Sequence, residues 1–141
     1  MKRTLGILFI VFISLVLIAG CTEEKPPGEE LKIGVVASMT GSASTTGKDI
    51  WQSAELAADE INADGGVYVA DLGKKVPIRL VQGDDESTRE GGQKAVSRMI
   101  TQDNVDILVG GFSSAVVSAH QQIVAEHKVP YIITGASTPI I

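Results

Sequence analysis

Leu31-Lys32-Ile33-Gly34-Val35-Val36-Ala37 is a short apolar run rich in β-branched side chains, and it ends in the polar loop of residues 38–47, SMTGSASTTG. An apolar run of this length bounded by turn residues is the pattern of a strand buried on both faces. Helix follows. From residue 48 to about 64, Ile50, Ala54, Ala57 and Ile61 recur at i, i+4, i+7 and i+11, one stripe of a 3.6-residue period that leaves Lys48, Glu55, Asp59 and Asn62 to water. Gly65-Gly66 supplies the stop, because glycine takes a left-handed cap without steric cost.

The same alternation continues along the chain. Residues 67–75, VYVADLGKK, read as an extended excursion with a turn at Leu72-Gly73, and residues 76–81, VPIRLV, as a second strand with Pro77 near its start, where a missing donor does least harm. The loop 83–88, GDDEST, is rich in capping side chains and leads into a helix over 88–102 that buries Ala95, Val96, Met99 and Ile100. Gly91-Gly92 costs about 1 kcal/mol per residue relative to alanine, which argues for a later helix start. A third strand over 106–110, a helix over 115–126 and a fourth strand over 129–134 complete the pattern, with no internal repeat. Apolar strands separated by helices predict an α/β fold, a doubly wound parallel sheet joined by right-handed crossovers. Function in such a sheet lies at the carboxyl ends of the strands.

The amino terminus has a different character. Lys2 and Arg3 precede a 15-residue apolar stretch, LGILFIVFISLVLIA, which is shorter than the roughly 20 residues that span a bilayer. Leu17-Ile18-Ala19-Gly20 then leads to Cys21, the single cysteine of 141 residues. This arrangement resembles the lipobox of bacterial and archaeal lipoproteins, in which the chain is cut before the cysteine and the cysteine is lipidated. An ordinary buried thiol and an uncleaved membrane helix are the alternatives. Residues 1–20 are therefore expected to be a lipoprotein signal peptide and residues 21–30 an acidic, proline-containing linker. Loss of Lys2 and Arg3 leaves 10 basic against 17 acidic residues, a net charge of −7. That balance argues against nucleic acid, whose binding needs a basic stripe to displace counterions.

Four loops converge on the carboxyl edge, at 38–47, 83–88, 111–114 and 135–139, and three of them are built from serine, threonine and glycine. Hydroxyls and amides at helix amino termini suit a carboxylate or another small anion. Each hydroxyl can equally well cap its own helix, and only the convergence of several favours a site.

At this point the chain resembles a known family. Lys32-Ile33-Gly34-Val35-Val36 with Met39-Thr40-Gly41, then Ala58-Asp59-Glu60-Ile61-Asn62-Ala63-Asp64-Gly65-Gly66, Gly83-Asp84-Asp85-Glu86-Ser87, Val109-Gly110-Gly111-Phe112-Ser113-Ser114 and Ala136-Ser137-Thr138 are similar to the leucine/isoleucine/valine-binding proteins of ABC importers, in the same order and at similar spacings. The resemblance implies a type I periplasmic-binding-protein lobe that closes on an amino acid. It implies that Ser114 and Thr138 hold the carboxylate and that the Ala136 carbonyl takes the amine, with Ser113 as the alternative if the loop register shifts by one. Thr46 stands where the family often has an aromatic side chain against the ligand, which argues against a large branched side chain as the preferred ligand. The expected partners are ABC permease subunits, a small carboxylated solute and, through Cys21, the outer face of the cell membrane. A ligand-sensing domain of the same fold for amides or urea-like solutes, and a remnant that binds nothing, are the competing readings.

Enzymatic readings find less support in the residues. Gly111-Phe112-Ser113-Ser114-Ala115 lacks the final glycine of a nucleophile elbow, and His120 falls inside the following helix. His120 and His127, seven residues apart, are read as sharing a helix face and as satisfied or exposed, with neither a triad nor a metal set around them. Asp84-Asp85 reads as helix-capping rather than cation-binding, and no nucleotide fingerprint is present, so no cofactor and no metal is expected. Residues 31–141 supply only four strands and three helices, with no helix after the fourth strand. The lobe is therefore expected to be incomplete, a truncated first lobe with apolar surface left uncovered.

Overall fold

The computed structural model describes residues 29–138; Cys21, the expected leader and most of the expected linker lie outside the described residues. Six strands and three α-helices follow one another among the described residues. They are β1 (Leu31–Ala37), α1 (Ser44–Ala63), β2 (Val67–Val69), β3 (Lys74–Val76), β4 (Ile78–Asp84), α2 (Arg89–Thr101), β5 (Ile107–Gly110), α3 (Ser114–His127) and β6 (Tyr131–Ile133). Four strands form one parallel sheet in the order β4-β1-β5-β6, while β2 and β3 pair as a small antiparallel hairpin around a 3-10 turn at Ala70–Leu72. The alternation thus builds the parallel sheet that it predicts. The second strand starts at Ile78, two residues later than expected, because Val76 pairs with Val67 in the hairpin.

Helices cover the two faces of the sheet unequally. On one face α2 and α3 enclose a core of Val36, Val96, Met99, Ile100, Val105, Leu108 and Val124. Complete burial of a side chain such as Met99 or Leu108 contributes about 1.5–3 kcal/mol. The other face carries α1 beside β1, where Val35 is fully buried.

The stripe assigned to α1 is displaced. Gly47 and Ala58 are its buried residues, while Ala57 and Ile61 are exposed. Asn62, expected in water, is half-buried and brackets the start of β4: its Nδ2 donates to the Ile78 carbonyl at 2.9 Å and its Oδ1 accepts from the Ile78 amide at 2.7 Å. A polar side chain that completes a strand's backbone bonding explains why the helix turns this face inward. The paired glycines of α2 are not a late start, since the helix begins at Arg89. A methyl group on Gly91 would overlap the Asp85 carbonyl, and one on Gly92 would meet Val116 Cγ1 at 2.6 Å. Helix propensity is given up there for close packing.

Candidate functional site

The hydroxyl-rich loops fall into two pairs, one clamped through aspartate side chains and the other joined through the Gly111 carbonyl and the Ser114 hydroxyl. Asp84, at the end of β4, accepts from the amides of Met39 (2.9 Å), Thr40 (3.2 Å) and Glu86 (2.8 Å) through Oδ1, and from the Thr40 hydroxyl (2.8 Å) through Oδ2. Partial burial pushes its pKa upward, but these four donors outweigh that and hold it below the usual carboxylate value. Asp85 is buried, and its Oδ1 accepts from Ser38 Oγ at 2.5 Å and from the Ser87 amide at 2.8 Å. Ser87 Oγ donates to the Thr40 carbonyl and accepts from the Ala43 amide, both at 3.0 Å. Glu86 and Ser87 take left-handed conformations, φ 53° and 57°, to fit against Gly41. The two aspartates therefore clamp the β1–α1 loop, whereas Thr88 alone caps α2, accepting from the Gly91 amide at 2.9 Å.

This clamp also explains why α1 starts at Ser44 rather than near residue 48. Its first turn follows Ala43, whose side chain cannot cap, and Ser87 of the neighbouring loop holds the Ala43 amide instead. Gly47 lies directly against the backbone of Ser38, and only a residue without a Cβ fits there. Thr46 consequently sits inside the first turn of α1, half-buried, lining a cavity of about 380 Å³ with Val35, Ile50, Val109, Gly110 and Thr134.

The loops after β5 and β6 are built differently. Ser113 precedes the first residue of α3 but makes no capping hydrogen bond through its side chain. Its carbonyl accepts from the amides of Val116 and Val117, so the Ser114 and Ala115 amides lie ahead of the first intrahelical bonds, at the positive end of the helix. Ser114 Oγ accepts from the Ser137 amide at 3.2 Å. The carbonyl of Gly111 accepts from the amides of Gly135 and Ala136, both at 3.1 Å. Ser113, Ser114, Ala136 and Thr138 are thereby gathered at adjoining strand ends, each half-buried, while Thr46 reaches the same edge from the far face.

Phe112 was not singled out from the sequence. It is 43% exposed beside Ser113 and packs on Gly135, placing an apolar surface next to the small hydroxyls. Its position between a Gly-Gly and a Ser-Ser pair was the available signal. The histidines, seven residues apart in α3, differ in environment: His120 is fully buried, its Nδ1 without a hydrogen-bond partner among the described residues, whereas His127, at the helix end, is exposed and its Nδ1 contacts the Ile123 carbonyl at 2.9 Å.

Residues 30–140 match the family described as periplasmic binding protein. The chain belongs to that family. Among its relatives is a Leu/Ile/Val-binding protein homolog of Brucella abortus, 33% identical over 110 residues, a span that is 78% of this chain and 28% of the relative. Among periplasmic binding proteins of solved structure is the branched-chain amino acid transporter substrate-binding protein LivJ of Streptococcus pneumoniae, in complex with isoleucine. It is 29% identical, with a TM-score of 0.71 over 78% of this chain and 30% of its own. A solute-binding protein of an ABC transporter from Rhodopseudomonas palustris, in complex with 3,4-dihydroxybenzoic acid, is 26% identical with a TM-score of 0.66 over 79% and 29%. This chain thus spans under a third of the length of the family members that it matches.

Proposed function

We propose that this chain contributes one lobe of the solute-binding component of an ABC importer for branched-chain or other amino acids, exported and held at the outer face of the membrane by lipid on Cys21. The observation that carries the reading is the meeting of the Ser114 and Ser137–Thr138 loops at the amino terminus of α3. Hydroxyl and amide donors aimed at one point replace the water that a carboxylate loses on binding, and an unpaired buried charge would cost several kcal/mol. Ser114 and Thr138 hold the carboxylate in this scheme, the Ala136 carbonyl takes the amine, and Ser113 is the substitute donor. Thr46 and Phe112 border the solute side chain.

The solutes of two solved relatives, isoleucine and 3,4-dihydroxybenzoic acid, differ in shape but share a carboxylate. That supports the anion as the common element of recognition and leaves side-chain choice to residues such as Thr46. The remaining wall of the cleft comes from the further length that relatives have, and closure is a hinge motion between lobes. Permease subunits receive the closed form.

Calorimetric titration of the full-length protein with amino acids, amides, urea and 3,4-dihydroxybenzoic acid tests the reading. Heat is expected with at least one carboxylated solute and not with urea. Ser114→Ala and Thr138→Ala should each weaken that binding by about 1.5–3 kcal/mol, the worth of a hydrogen bond to a charged group. Absence of heat with every compound would remove the importer reading, and unchanged affinity in both variants would remove the residue assignment.

A further inference from the structure

Beneath the candidate loops lies a row of buried polar groups that takes no direct part in the proposed site. Ser38, Asp85 and His120 are each 0–1% exposed. Asp85 spends Oδ1 on Ser38 and Ser87, while among the described residues its Oδ2 has no hydrogen-bond partner, and neither has His120 Nδ1. These two groups flank the same backbone position: a Cβ on Gly92 would stand 3.0 Å from His120 Nδ1 and 3.7 Å from Asp85 Cβ. On its other side His120 Nε2 is 3.3 Å from the Tyr131 hydroxyl, with ring centroids 5.6 Å apart. The Tyr131 hydroxyl in turn rests on Gly111, where even a methyl group would overlap it.

Gly111 is the residue on which the two candidate loops hang. Its amide donates to the Val36 carbonyl at 2.9 Å, its carbonyl accepts from Gly135 and Ala136, and the chain continues from it into Ser113 and Ser114. A polar path therefore runs from the end of β4 through α3 and the start of β6 to the backbone that sets the Ser114–Ser137 spacing. Leaving two buried polar atoms without partners is costly, and such a cost is tolerated where the arrangement serves a site.

We propose that His120 and Tyr131 are positioning residues: together with Asp85 they form a buried strut that fixes Gly111, and through it the separation of the Ser114 loop from the Ala136–Thr138 loop. The negative charge of Asp85 near Nδ1 favours the tautomer protonated there, so that Nε2 accepts from the Tyr131 hydroxyl. Tyr131→Phe removes only that hydroxyl. His120→Gln keeps a polar atom near the Nε2 position, and His120→Leu keeps volume without one. The consequence for affinity rests on the carboxylate reading above; the consequence for loop order does not.

The test is amide hydrogen exchange in the ligand-free full-length protein, followed by titration with L-isoleucine. Tyr131→Phe and His120→Leu are expected to speed exchange at Gly135 and Ala136 at least tenfold. The amides of Val35 and Val36 should stay within twofold, and His120→Gln should resemble the parent. L-isoleucine affinity is expected to fall at least fivefold in the first two variants. Faster loop exchange with no L-isoleucine binding even by the parent protein supports the strut and counts only against the solute assignment. Unchanged exchange at Gly135 and Ala136, equal acceleration throughout the sheet, or His120→Gln behaving like His120→Leu overturns the proposal.

Discussion

His120 shows how a single side chain links packing to pH. Burial pushes its pKa down from 6.5 to about 4, against the upward pull of the Asp85 carboxylate. Burial together with the same carboxylate raises the Tyr131 phenol above its usual value. Above pH 6.5 His120 is neutral in both folded and unfolded chains and contributes nothing to pH dependence. As pH falls from 6.5 toward 4, the unfolded chain takes the proton first, and stability is lost by about 3 kcal/mol across that window. Urea unfolding at pH 7.0 and 4.5 measures the loss, and His120→Leu should flatten it. Asp84 responds lower on the scale. Its depressed pKa gives stability that is present above the ordinary carboxylate pKa of 3.8 and lost as pH drops through the folded value. Asp84→Ala strands four donors, three in the β1–α1 loop and the Glu86 amide in its own loop, three of these bonds being exposed, and should cost about 1–3 kcal/mol at pH 7 by chemical denaturation. None of this was legible in the sequence, where Asp84-Asp85 read as helix-capping. Which donors a carboxylate meets is decided by strand register, 45 residues away in the chain for Met39.

At the scale of elements, periodicity located every main strand and helix, with α2 within a residue at each end, but misjudged one helix start and one helix face. Leu31–Ala37 was legible to the residue because a β-branched apolar run has few other uses in a βαβ series. The start of α1 was not, since the SMTGSASTTG run looks like a loop and its cap comes from Ser87 of another loop. The Ile50–Ile61 stripe failed because Asn62 is held inward by Ile78, which hydrophobicity alone does not register. The expected bounds of α2 held, but the later start that propensity suggests at Gly91-Gly92 does not occur, because helix packing demands small residues there. Gly92→Ala tests this directly. On an exposed helix it would stabilise by up to about 1 kcal/mol. Here the added methyl meets Val116 Cγ1 at 2.6 Å and His120 Nδ1 at 3.0 Å. Net destabilisation of about 1–3 kcal/mol is expected, read from thermal or urea unfolding, and a gain in stability would mean that α2 and α3 separate more easily than their packing indicates.

At the scale of the molecule, the cover on the two sheet faces decides what the surface can do. Val35, Val109 and Ile132 pair side by side across β1, β5 and β6, so their side chains form one row on the α1 face. Val35 is fully buried under α1, Val109 is half-buried, and Ile132 is 60% exposed. Parallel sheets are ordinarily covered on both faces, and an exposed apolar row at a sheet edge invites association. The sequence carried this only as an expectation of uncovered apolar surface; which strand and which face required the register. Ile132→Lys separates two states of the row. In residues 29–138 produced alone, the isoleucine already faces water, so the lysine should change unfolding free energy by less than about 0.5 kcal/mol while lowering hydrophobic-dye fluorescence and self-association. In the full-length protein the same substitution reports on cover supplied by other segments: a loss of about 2–4 kcal/mol there, set against little change in the shorter piece, would mean that further chain packs on this row. A large loss in the shorter piece itself would contradict the exposure of Ile132 and, with it, the incomplete cover of the α1 face.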